Sequence, residues 1–64
     1  MNANKLESYR ITGEQAAQAM NRQDMANYHH WRKQFQAMRY LESTEDRAIA
    51  DAEFDDAYKS SRRI

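Results

Sequence analysis

Residues 28–38 read Tyr28-His29-His30-Trp31-Arg32-Lys33-Gln34-Phe35-Gln36-Ala37-Met38. The apolar positions Tyr28, Trp31, Phe35 and Met38 are spaced three, four and three apart, which lays them along one face of an α-helix. On a wheel advanced about 100° per residue, Met20, Trp31 and Met38 fall within roughly 20° of one another, and Ala17, Phe35 and Tyr28 lie within about 80° of them. Asp24 and Glu42 interrupt this stripe at its two ends. The seam therefore lasts about two heptads, too short for a long parallel coiled coil and suited to a shorter antiparallel packing.

Proline is absent and glycine occurs once, at Gly13. With so few breakers, long helices are the default. Upstream of the seam, Thr12-Gly13-Glu14-Gln15 has the form of a capping box, which predicts a helix start near Thr12. The helical pattern runs from there to about Glu42. A break near Asn21-Arg22-Gln23-Asp24 is the alternative, with Asp24 capping a new helix; one helix, kinked or straight, is the preferred reading. Residues 1–11, with Leu6, Tyr9 and Ile11, read as a mobile arm or a short extra turn.

Downstream, Glu42-Ser43-Thr44-Glu45-Asp46 reads as a turn. Ser43 or Thr44 caps the next helix, and Glu45 and Asp46 suit the positive end of its dipole. This helix is expected from about Thr44 to Ser61, with Phe54 and Tyr58 as the chief large apolar residues of its stripe, Ile49 off it, and Asp55–Lys59 as an i,i+4 pair. The expected fold is all-α: a helical hairpin over residues 12–64 of two long helices, the first of them kinked or split, pairing into a dimeric helical bundle.

The chain has 64 residues, no cysteine and zero formal net charge. So short a chain forms one domain, and without disulfides it needs a good core or a second subunit. Met20, Tyr28, Trp31, Phe35 and Met38 carry more apolar surface than Phe54 and Tyr58 can cover. These seven residues are the candidate core or dimer interface, with a homodimer as the expected assembly and a groove on a partner protein as the other cover for the stripe.

Charge is unevenly placed. Residues 1–41 carry six basic and three acidic groups, residues 42–58 one basic and seven acidic, and Lys59, Arg62 and Arg63 close the chain. Oppositely charged helices lying side by side explain this, as does a charged partner. Arg22, Lys33 and Tyr40 share one face of the first long helix and form the candidate charged partner face. Such a face suits nucleic-acid phosphates and one stacked base, but a neutral chain is poorly suited to displacing counterions. Nucleic-acid binding or transcription modulation is thus the second reading.

Catalytic chemistry is not evident. Ser8, Ser43, Ser60 and Ser61 lack a His or Lys at useful spacing, and glycine-rich turns are missing. His29 and His30 are adjacent and so point about 100° apart on a helix, unlike a metal-binding pair. Asp51, Glu53, Asp55 and Asp56 lack the spacing and glycine of a calcium loop. No enzyme, cofactor or metal is expected. Nor does any run approach the ~20 apolar residues of a membrane span, or Met1–Lys5 the apolar core of a secretory signal, so a soluble, cytoplasmic protein is expected.

In length, in its lack of Cys and Pro, and in its charged hairpin around Tyr28-His29-His30-Trp31 and Thr44-Glu45-Asp46-Arg47, the chain resembles the small helical accessory proteins encoded in the early regions of lambdoid bacteriophages. That resemblance implies a nonessential protein of the host cytoplasm. Such a protein modulates host physiology or phage development through contacts with a host or phage protein. No family residue is carried over from it.

Overall fold

The computed structural model describes residues 1–63; Ile64, the last residue of the expected hairpin, lies outside them. Among the described residues there are three helices and no strand: α1 Ala3–Asn21, α2 Met25–Tyr40 and α3 Thr44–Ser61. The all-α class holds. The hairpin of two long helices is corrected to three helices, and the reasons lie at residues 1–11 and 22–24.

Residues 3–11 are helix rather than a mobile arm. Asn2 caps α1, its side chain accepting the Lys5 N–H at 2.8 Å. The capping box expected at Thr12 is not used. Thr12 is buried in mid-helix, and its hydroxyl donates to the Tyr9 carbonyl at 2.7 Å. A threonine satisfied by the preceding turn has no need of a helix end.

The chain reverses at Arg22-Gln23-Asp24, so the split reading replaces the continuous one. The Asp24 N–H bonds back to the Ala19 carbonyl at 2.8 Å and the Gln23 N–H to the Met20 carbonyl at 3.0 Å. These two bonds form a Schellman motif, which requires a left-handed residue between them. Gln23 supplies it with φ 58. Asp24 then caps α2, accepting the Asn27 N–H at 3.2 Å and its side-chain amide at 2.7 Å. The second turn follows the expectation, with Ser43 accepting the Asp46 N–H at 3.2 Å and α3 ending at Ser61.

Helices α1 and α3 run parallel, with α2 antiparallel to both. At one pole the Asn21 side chain donates to the Ser61 carbonyl at 2.9 Å. At the other, Lys5 pairs at 3.0 Å with Glu42, whose side chain is only 7% exposed. Helix α1 packs on both neighbours, while α2 and α3 touch one another sparsely. The small residues of α1 allow this. Gly13, Ala16 and Ala17 are buried, and a Cβ on Gly13 would strike the Phe54 carbonyl oxygen and lie 3.1 Å from the Ala57 Cβ.

Tyr9 (2% exposed), Phe35 (5%) and Phe54 (6%) anchor the core with Ala16 and Ala50. The Tyr9 and Phe35 rings meet edge to face at 5.8 Å, and Phe35 and Phe54 lie 4.3 Å apart. Each such burial contributes roughly 1.5–3 kcal/mol, and the ring geometry about 0.5–1.5 kcal/mol more. Tyr28, Trp31, Met38 and Tyr58 pack on this cluster partly buried, and Met20 is half-buried near the end of α1. Part of the apolar surplus expected of a two-helix hairpin is thus covered within the chain, with Tyr9 of the segment read as an arm packing on Phe35, while Tyr28, Trp31, Met38 and Tyr58 remain partly exposed.

Candidate functional site

Because the backbones of α2 and α3 pack closely on α1 and meet each other mainly through side chains, a groove of about 880 Å³ opens between them. Its floor is aromatic. Phe35 and Phe54 form the base, Tyr58 stacks on Phe54 at 6.2 Å with planes 10° apart, and Tyr28 meets Tyr58 edge-on at 6.4 Å.

The two walls differ in sign. Helix α2 contributes Arg32, Gln36 and Arg39, and α3 contributes Asp51 and Asp55. Arg39 and Asp51 bridge the groove as a two-pronged pair at 2.6 and 3.0 Å. This hydrogen bonding holds the Arg39 guanidinium above its ordinary pKa. Asp55 pairs along α3 with Lys59 at 2.9 Å, and the hydrogen bond to that carboxylate raises the Lys59 pKa. Arg47 closes one end. It donates from α3 to the last carbonyls of α2, at 3.3 Å to Arg39 and 2.9 Å to Tyr40, with its guanidinium 6.0 Å from the Tyr40 ring.

Arg32 is different. Its guanidinium sits 5.3 Å over the Phe54 ring, and no carboxylate among the described residues pairs with it. His29 and Lys33 flank it on the outer side of α2. A cation held over an aromatic floor is desolvated on one side and open to a partner on the other.

Of the residues expected to form a core or interface, Phe35 and Phe54 are core, Tyr28 and Tyr58 are both core cover and groove floor, and Trp31 and Met38 pack on the core cluster. The charged face expected from Arg22, Lys33 and Tyr40 is corrected. Arg22 caps the end of α1, and the turn separates it from α2, where Lys33 and Tyr40 remain exposed. Tyr40 at 76% and Leu41 at 81% exposure are the most exposed of the large apolar residues. The groove residues Arg32, Gln36, Arg39, Asp51 and Asp55 were outside the expected site. Arg32 and Arg39, one heptad apart on either side of Phe35, place two cations on one face of α2, but nothing in the sequence marks Asp51 and Asp55 as the wall opposite them.

The chain matches no protein-family model, no curated protein and no solved structure. No described helix is long and apolar enough to cross a membrane.

Proposed function

We propose that the chain is a non-enzymatic protein–protein interaction module whose working surface is the α2–α3 groove. The observation that carries this reading is the groove itself: an aromatic floor with one basic and one acidic wall, left open by the packing. Aromatic anchors and arginines are the residue types that dominate binding energy at protein interfaces. The groove's own chemistry also favours binding over catalysis, since Arg39 and Asp51 neutralise each other and the remaining polar groups lack a base beside a nucleophile.

Pairing of two copies into a dimeric helical bundle belongs to the same reading. So does a role as an accessory protein of a bacteriophage, acting in the host cytoplasm on host physiology or phage development. The whole-chain resemblance supports that extension.

A nucleic-acid reading rests on one observation: α2 gathers Arg32, Lys33 and Arg39 with the exposed Tyr40. The acidic wall of α3 beside them repels a phosphate backbone, and this argues for protein.

Photo-crosslinking separates the two. A photoreactive residue at Gln36, in the groove, is compared inside cells with one at Ile11 on the far side of α1. Protein adducts at Gln36 and few at Ile11 support the reading. Nucleic-acid adducts at Gln36, or equal yields at both positions, overturn it. Generic duplex and single-stranded oligonucleotides should correspondingly bind weakly at physiological salt in fluorescence anisotropy.

A further inference from the structure

The groove's two walls of opposite sign make it complementary to itself. Two copies placed groove to groove have two ways of obeying a two-fold axis. An axis running across the helices sets α2 against α2 of the second copy, with Arg32 and Lys33 facing their own kind. An axis running along the helices sets α2 of each copy against α3 of the other, and every wall then meets the opposite sign. Like charges facing across an interface suppress docking and unlike charges steer it, so the second arrangement is favoured.

Resting on the reading of the groove as a protein-docking surface, we infer that its occupant is a second copy of this chain, related by a two-fold axis parallel to the helices, with Arg32 of each copy paired to Asp55 of the other. The register follows from the single chain. Rotation about an axis along the helices leaves every residue at its own height. Within one chain Arg32 lies level with Phe54, the neighbour of Asp55, and Arg39 lies level with Asp51. Arg32 of one copy thus arrives at the height of Asp55 in the other. Arg32 and Arg47 are the groove cations with no carboxylate partner among the described residues. Arg47 is held by the last carbonyls of α2, which leaves Arg32 as the cation open to a partner, and Asp55 is an exposed carboxylate held only by a surface pair with Lys59. Tyr28 and Tyr58 of the two copies close over a shared aromatic floor. The result is a four-helix layer of two α2 and two α3 helices, with the α1 helices outside.

Charge reversal tests this directly. Arg32→Glu alone sets the introduced carboxylate against Asp55 in both contacts of a homodimer. Asp55→Arg alone sets the introduced guanidinium against Arg32 in both. A heterodimer of the two variants has one contact between two introduced groups of unlike charge and one between the native Arg32 and Asp55. An equimolar mixture thus restores attraction in both contacts. Sedimentation equilibrium at tens of micromolar should show a wild-type dimer, each variant monomeric and the mixture dimeric, with circular dichroism confirming that both variants fold. Arg32→Gln serves as a neutral control, should the reversal unfold the chain, and should weaken the dimer roughly tenfold. A wild-type dimer indifferent to all three substitutions overturns the inference by pointing to another face. A wild-type monomer overturns it too, while protein crosslinks at Gln36 leave the groove reading standing with a different partner.

Discussion

Gly13 of α1 lies against the backbone of Phe54 in α3 so closely that a methyl group at position 13 would collide with the Phe54 carbonyl oxygen. That contact lets α1 and α3 approach closely and makes α1 the platform on which the other two helices rest. Helix propensity alone predicts that Gly13→Ala stabilises by about 1 kcal/mol. Overpacking costs about 1–3 kcal/mol, and the upper part of that range applies where the obstacle is backbone. The collision should win, and thermal unfolding should show a net loss of about 1–2 kcal/mol, larger still for Gly13→Val.

Tyr9 ties residues 3–11 to the body of the protein. Its ring is buried against Phe35, and its removal by Tyr9→Ala should cost about 3–5 kcal/mol, enough to unfold a domain of this size by circular dichroism.

The Tyr9 hydroxyl also predicts an alkaline limit. Burial first, then the nearby Glu42 carboxylate, holds its pKa above the ordinary 10.0. A proton bound more tightly in the fold than in the unfolded chain stabilises fully below pH 10.0, and this is lost as pH rises through the raised value. The melting temperature should therefore fall as pH climbs past about 10. Tyr9→Phe should flatten that fall; a slope unchanged by the substitution would contradict the assignment.

Gln23 adopts φ 58 at the turn between α1 and α2. A side chain in the left-handed region costs about 1–2 kcal/mol, and glycine gives back about 0.4–1 kcal/mol through the unfolded chain. Gln23→Gly should raise stability in urea titrations by about 0.5–1 kcal/mol net. Gln23→Val should lower it.

The seam of Tyr28, Trp31, Phe35 and Met38 was legible because large apolar residues at helical spacing have few other uses. Helix α3 was legible because Ser43 caps it and acids fill its first turn. Helix α1 was not, for a physical reason: its buried face is mostly Gly13, Ala16, Ala17 and Ala19, too small to read as an apolar stripe. Those residues work by letting backbones approach, which only the folded structure reveals. The first turn was hidden because Gln23 occupies the position where glycine is usual. The groove was illegible as a site, since it exists only through the spacing of α2 from α3. Arg32 and Asp55 share nothing in the sequence that marks them as opposite walls.

If the α2–α3 groove is where this chain meets its partner, a second copy of itself, the groove must report on chain concentration. Backbone amide chemical shifts followed by NMR on dilution from millimolar to low-micromolar chain test this most directly. The shifts of Arg32, Gln36, Asp55 and Tyr58 should move together while those of Ile11 and Gln18 stay still. Shifts that do not change with concentration, or that change on the outer face of α1 instead, would contradict it.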